Sequence, residues 1–331
     1  MHFSNYDKYS LEIKEGESVS VLADSLRDQG LIGNIWLFKK YLSFTGMDKK
    51  INAGSFELKA PITMASIAKV LSAPGLNEVT ITILPGWNLR QVADYLASQG
   101  FAKSSQEVFE ITGYPAKIVS IGPGKKVEPP LLDEELEVES SKPLGMSYEG
   151  YFAPETYRVY KNSLVKDILR KMLVQHFKEV SFDIVDKAAE NSRIWKLVSK
   201  NRGPDHEILT MASILEKEAR TPEDRRIIAD ILWRRVEVNW ALQVDSSVHY
   251  AVDKTGDVFT TENERGFDSL WNTYKYPGLP PGPICNPGFD SILAAVEPVA
   301  NEYWYFLSGA DGKMHYAKTL EEHNLNKQKY L

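Results

Sequence analysis

The apolar positions of this chain change period along its length, and twice they do so in the same way. Residues 11–32, LEIKEGESVSVLADSLRDQGLI, and residues 81–102, ITILPGWNLRQVADYLASQGFA, align without a gap. The two stretches share Ile13/Ile83, Gly16/Gly86, Ala23/Ala93, Asp24/Asp94, Leu26/Leu96, Gln29/Gln99 and Gly30/Gly100. In each, a short alternating run predicts a strand that stops at a turn glycine. Apolar residues at 19, 22, 23 and 26, and again at 89, 92, 93 and 96, then recur at helical spacing. A glycine closes each helix at the position just past its end, where a positive φ costs little. Each copy is a β–turn–α unit, too small to bury a large core alone. Such a pair serves as a packing scaffold or as a binding module for an extended polymer.

The pattern is lost over 121–146, a Pro- and Gly-rich stretch with five acids between Asp133 and Glu139, which reads as a linker or surface loop. From Tyr148 the texture is aromatic, SYEGYFAPETYRVY, and a long helical run, SLVKDILRKMLVQHFKEV, follows. A largely apolar helix is predicted from about Glu207 to Ala219, and a second over TPEDRRIIADILWRRV. Thr221 is a good N-cap, Pro222 suits the first helical position and Asp224 the third, so the chain turns near Arg220. Further on, ALQVDSSVHYAV reads as a strand or short helix, and five prolines between Pro277 and Pro287 make a rigid loop able to line a cleft. The C-terminal stretch predicts two strands around a Gly-Ala-Asp-Gly turn, then a helix capped by Thr319 with Glu322 at its third position.

The apolar helix ends in Glu216 and Glu218, one lysine apart. A helix C-terminus carries partial negative charge, and burial disfavours an anion; both push a glutamate toward a usable general acid. The helical wheel places Glu218 beside Met211 and Ile214, and Glu216 beside Leu209 and Ala212. The two flank opposite edges of the apolar stripe, so periodicity does not choose between them or separate a catalytic acid from a solvated last turn. The aromatics Tyr148, Tyr151, Tyr157, Trp271 and Tyr274 are candidates for stacking on sugar faces.

Composition narrows the partners. The chain has 331 residues, 43% hydrophobic and 25% charged, with a net charge of −6, which suits a soluble protein of two or three domains. An acidic balance disfavours nucleic acid, which needs a basic face. The single cysteine, Cys285, allows no internal disulfide, and the six histidines show no metal-ligand spacing. No metal or cofactor is expected. No apolar run reaches the ~20 residues that span a bilayer, and no signal peptide is visible.

The stretches EGYFAPETY, MASILEKEA, LQVDSSVHYAV, NTYKYPGLPPGPICNPG, YWYFLSGADGKMHY and KTLEEHN, in that order over residues 147–324, resemble the YceG-like (MltG) family of endolytic murein transglycosylases. The resemblance implies an α+β chain. Residues 1–75 and 76–120 would be two LysM-like β–turn–α units, 121–146 a linker, and 147–331 a mixed α/β catalytic domain. It makes Glu218, the second acid of the E-K-E triplet, the catalytic glutamate, and Glu216 a supporting companion at the substrate site. Gln243, Asp245, Asn272 and Tyr274 are the candidates for holding the sugar. The implied substrate is the β-1,4 bond between N-acetylmuramic acid and N-acetylglucosamine in peptidoglycan glycan strands, cleaved with formation of a 1,6-anhydro end. Cell-wall synthesis proteins are implied as partners, at the outer face of the cytoplasmic membrane. This chain departs from the family pattern in three places: Asp245-Ser246-Ser247 stands for D-P-T, Glu155 stands for an aspartate, and the family's N-terminal membrane helix is absent from this chain. The rival readings are a non-catalytic peptidoglycan-binding protein and a lysozyme-like hydrolase with Asp245 as second carboxylate.

Overall fold

A computed structural model describes residues 8–13, 16–51, 54–59, 62–72, 78–117, 132, 142–161, 163–179, 182–198, 202–254 and 260–331. The acidic stretch read as a linker lies outside these residues apart from 132 and 142–146. The chain divides into two units, Met1–Ile81 with Thr156–Leu164, and Thr82–Glu155 with Val165–Leu331.

The smaller unit holds β1 (Lys8–Ile13), α1 (Val19–Asp28), α2 (Ile35–Thr45), β2 (Gly54–Lys59), α3 (Met64–Ser72), most of β3 (Glu78–Thr82), and β4 (Thr156–Tyr160). β1 and β2 pair antiparallel, with Leu11 opposite Phe56 and Ile13 opposite Gly54. Alternation along these strands puts Leu11, Ile13, Phe56 and Leu58 into one core with Leu22 and Leu26 of α1, Phe38 and Leu42 of α2, and Ile67 and Leu71 of α3. β3 and β4 form a second two-stranded sheet.

The larger unit begins with α4 (Leu89–Ser98) and α5 (Ser105–Thr112). A helical body follows: α6 (Val165–Glu179), α7 (Phe182–Glu190), α8 (Ser192–Val198), α9 (Pro204–Glu218), α10 (Pro222–Glu237), α11 (Asp245–Val252), α12 (Glu262–Gly266) and α13 (Phe289–Val296). It closes with the antiparallel hairpin β5 (Tyr305–Ser308) and β6 (Met314–Ala317), then α14 (Leu320–Tyr330). Every residue of α9 from His206 to Leu215 is buried, which is what a helix apolar on all sides requires. It packs on α13 and α10, and Trp233 of α10 donates its indole N–H to the Ala295 carbonyl at 2.8 Å.

Both copies of the repeat fold as their periodicity predicts. β1 and β3 precede turn glycines with φ of +78° and +81°, Gly16 and Gly86. α1 and α4 follow, burying Leu22, Ala23 and Leu26 in one and Val92, Ala93 and Leu96 in the other. Gly30 and Gly100 end them at φ +72° and +80°. The copies nevertheless fall on opposite sides of the division, which lies at the end of β3. The fold is mainly helical, α+β overall, with only two-stranded sheets among the described residues. The mixed α/β character expected beyond residue 147 reduces to β4 and the β5–β6 hairpin. The loop with its five prolines supplies no ladder of backbone donors from which a larger sheet could grow. Among the described residues no helix is long and apolar enough to cross a membrane.

Candidate active site

α9 stops at Glu218 because the next helix must start: Thr221 caps α10 by accepting the Asp224 N–H at 3.1 Å, Pro222 occupies its first turn, and Ala219 is extended. The last turn of α9 therefore presents two carboxylates to different surroundings. Glu216 accepts from Arg225 Nη2 at 3.0 Å, from the Gly288 N–H at 3.0 Å and from Ser291 Oγ at 2.6 Å. These partners lie on α10 and at the N-terminus of α13, so Glu216 fastens three helices together and does not line the cavity beside it.

Glu218 does line that cavity, a cleft of about 930 Å³. It is half-buried, and its Oε1 accepts from Ser246 Oγ at 2.6 Å. Burial pushes its carboxyl from the usual 4.5 to about 7, and neighbouring Asp245 pushes the same way; the Ser246 hydroxyl and N–H, with Arg235, pull back. The result is an acid that holds a proton near neutral pH and can give it up, in contact with a solvent-filled space.

Opposite Glu218, the start of α11 and the 272–274 loop are strapped together. Asp245 Oδ1 accepts from Thr260 Oγ1 at 2.5 Å and from the Tyr274 hydroxyl at 2.7 Å. Burial and Asp245 both raise the Tyr274 phenol, so it stays a donor. The Gln243 N–H donates to the Thr273 carbonyl at 3.1 Å, and Val244 N–H to Thr273 Oγ1 at 3.1 Å. Gln243 sits at φ +53°, a conformation a residue with a side chain seldom adopts, and its side chain is exposed at the cleft.

Of the residues singled out from sequence, Glu218, Gln243, Asp245 and Tyr274 line one cavity. Asn272 is fully buried instead. Its Nδ2 donates to the Arg265 and Phe267 carbonyls at 2.9 and 2.8 Å and its Oδ1 accepts the Tyr274 N–H at 3.0 Å, leaving it to shape the loop. The proposed sugar-stacking aromatics Tyr148, Tyr151, Tyr157 and Trp271 are core residues. Tyr151 meets His206 Nδ1 at 2.8 Å and Trp271 donates to the Gly282 carbonyl at 3.0 Å, satisfying their polar ends indoors. Sequence reasoning missed Ser246 as the partner of Glu218, Arg235 on α10, and the contribution of the second repeat copy, whose Asn88 and Gln91 also line the cleft.

A further acid stands behind the wall. Glu149 is buried, and both its oxygens accept the Leu89 N–H at the start of α4, at 2.9 and 3.1 Å. It is also hydrogen-bonded to the Tyr250 side chain of α11. Burial raises its carboxyl to about 7, against the opposing pull of these bonds and of Arg90.

A helix-borne glutamate, poised near neutral pH at the wall of a wide cleft, suits the class to which this chain is compared. The model of the YceG-like family matches residues 11–329, and the chain belongs to that family. A Bacillus subtilis (strain 168) protein named endolytic murein transglycosylase is 31% identical, the match covering 97% of this chain and 84% of the relative. A Streptococcus pneumoniae (strain R6) protein of the same name is 28% identical over 98% of this chain, which spans 58% of that longer relative. A crystal structure of a YceG-like protein from Listeria monocytogenes superposes with a TM-score of 0.60 at 28% identity, covering 96% of this chain and 98% of that one.

Proposed function

We propose that this chain is an endolytic murein transglycosylase, with Glu218 as the one catalytic acid and base. The observation that carries the reading is the Glu218 carboxyl, raised to about 7 and exposed to the cleft. Protonated Glu218 gives its proton to the oxygen between N-acetylmuramic acid and N-acetylglucosamine as the anomeric C1–O bond breaks. The carboxylate left behind takes the proton of the muramic C6 hydroxyl. The freed oxygen attacks its own C1 and closes the 1,6-anhydro ring. No water is consumed, and the nucleophile is tethered to its target, so its effective concentration is high. The hydroxyl and N–H of Ser246 stabilise the carboxylate during the interval between the two proton transfers.

Asp245, Tyr274 and Gln243 hold the sugar ring and its N-acetyl groups. Thr260 and Tyr274 both donate to Asp245 Oδ1 and fix the side chain in place to orient substrate. The duplicated β–turn–α units act as LysM-like holders of the extended strand, at the outer face of the cytoplasmic membrane.

Purified sacculi digested with the wild type and with Glu218→Gln test the reading. The wild type releases strands ending in 1,6-anhydromuramic acid, one water lighter than hydrolytic products and resistant to borohydride. Glu218→Gln loses at least ~10²-fold of the rate with its fold intact. Reducible ends would make the protein a hydrolase, and intact strands a binder.

A further inference from the structure

The cleft extends beyond Glu218 into a second lobe formed by the β5–β6 hairpin and α14, where Tyr305, Leu307, Met314, His323 and Lys327 line it. Arg235 reaches the cleft from α10, within electrostatic range of both Glu218 and Tyr305. The residue is only 5% exposed. Nη1 and Nη2 donate to the Leu242 and Trp304 carbonyls at 2.5 Å each, while Nε is sealed from solvent with no partner. Among the described residues no carboxylate lies within ion-pair distance of it. Carbonyls and the faces of Trp240 and Tyr305, at 5.3 and 5.7 Å, are its direct contacts, and Glu218 acts on it only through space. A buried cation left in this state costs several kcal/mol, and burial accordingly drags its pKa down to about 10.

The surroundings add to the positive field. Lys327 is exposed in the same lobe and forms no ion pair among the described residues. His323 stacks on Tyr305 at 5.2 Å, and burial with the charges of Lys327 and Arg235 holds it neutral, down to about 4. Two uncompensated cations over an aromatic and apolar floor thus sit in a protein whose net charge is −6. The total cavity is near the upper end of the volumes that enclose drug-sized ligands, so it has room beyond the reacting sugar pair.

We propose that this lobe is a subsite for the peptide stem of the muramic residue, with Lys327 receiving a stem carboxylate in the field of the buried Arg235 behind it. The proposal rests on the transglycosylase reading. The glycan of murein is uncharged where the lactyl group is amide-linked to its stem, and the free carboxyls of the stem are then the anions the substrate carries. The stem leaves the muramic ring at the lactyl ether, away from C1 and C6, and can enter a neighbouring lobe while the glycosidic oxygen stays at Glu218. A carboxylate there adds a counter-charge to Arg235 that does not depend on Glu218 being ionised. It also cancels the pull of Arg235 on Glu218 and so favours the protonated acid that begins the reaction.

Three substrates test this: glycan strands with native stems, the same strands with stem carboxyls converted to carboxamides, and strands stripped by an amidase, which carry only the lactyl carboxylate. The rate of release of anhydro ends gives kcat/KM for each. A charge-assisted contact is worth about ten- to a hundredfold. Native stems are therefore expected to react at least about tenfold faster than amidated or stripped ones, with the ratio shrinking in high salt. Lys327→Glu, at an exposed position that leaves the core untouched, brings the native-to-amidated ratio close to one. Equal rates on native and amidated stems would overturn the proposal, as would an unchanged ratio in Lys327→Glu. Stripped strands as fast as native ones would move the anion to the lactyl group and overturn it too. Absence of anhydro ends from all three substrates would strike the transglycosylase reading itself.

Discussion

The two copies of the β–turn–α unit share a backbone and differ in what surrounds it. In the first copy a side chain added at Gly16 would meet nothing within 4 Å; in the second, one at Gly86 would meet Glu216 Cγ and Lys217 Nζ at 3.6 Å. The Gly86 N–H donates to the Asn286 carbonyl at 2.9 Å, and the Asn286 N–H returns to the Trp87 carbonyl at 2.8 Å. Leu89 N–H is held by Glu149, and Arg90 donates to the Tyr250 carbonyl at 3.1 Å and pairs with Asp253 at 3.2 Å. The second copy has become a wall of the cleft that Glu218 lines, lying against the end of the helix that carries Glu218 and hydrogen-bonded to the helix that carries Asp245. The same local fold packs into the core of the smaller unit in one place and positions the wall of the cleft in another, and the difference lies in long-range partners.

Cutting the tie at Glu149 gives the largest expected effect. Glu149→Ala leaves the buried Leu89 N–H without its acceptor, deprives Tyr250 of a partner and opens a cavity. At pH 5, where Glu149 is protonated and no cost of ionisation is relieved, the loss is about 2–4 kcal/mol in urea unfolding. Activity falls with it, because Tyr250 fixes α11 and with it Asp245 and Ser246. A cost no larger than that of a surface substitution would show the second copy to be as free-standing as the first.

A smaller effect follows from the titration of the same residue. The Glu149 carboxyl is raised from 4.5 to about 7 in the folded chain, so the folded state binds its proton more tightly than the unfolded state. Stability is then fully present below pH 4.5 and is lost as pH rises to about 7, by about 3 kcal/mol for this residue. Glu149→Gln keeps an acceptor for Leu89 and has no proton to lose, so its stability declines less across that window. Glu218, raised for the same main reason, keeps its own share of the slope. The fall in kcat/KM above about pH 7 belongs to Glu218 and persists in Glu149→Gln. A stability profile identical in the variant, or an activity limb that moves with it, would reverse the assignment of the two acids.

What could be read from the chain follows the range of the interaction. The repeat, the Thr221-Pro222 start of α10 and the Thr319–Glu322 capping box depend on neighbours within a few residues, and all three form as their patterns predict. Glu216 and Glu218 could not be separated by periodicity because Gly288, Ser291 and Ser246 decide between them, and these are 28 to 75 residues away. Arg235 follows Arg234 on a helix that reads as charged, and is buried by Trp304 and Tyr305, about 70 positions downstream. Tyr148, Tyr151 and Trp271, which the sequence offers for sugar stacking, are buried in the core behind the cleft, and the polar tips of Tyr151 and Trp271 find their partners there.

The smallest expected effect compares the two helix caps directly. Ser18 accepts the Val21 N–H at 3.3 Å and nothing answers it, whereas Asn88 and Gln91 form a reciprocal box, with the Gln91 N–H and the Asn88 N–H each donating at 3.0 Å. Alanine at either cap loses about 0.5–2 kcal/mol, and the box places Asn88 at the upper end of that range. Hydrogen exchange at the Val21 and Gln91 amides reads each loss locally, without assuming that the two units unfold together. The functional outcomes should part further than the energies. Ser18 is not among the residues that line the cleft, so Ser18→Ala leaves kcat where it was. Asn88 lines the cleft from the end of a wall that Glu149 holds in place, so Asn88→Ala lowers kcat/KM by several-fold although its helix remains formed. Equal, small effects of the two substitutions on cleavage would mean that the second copy, for all its ties, positions nothing that the reaction uses.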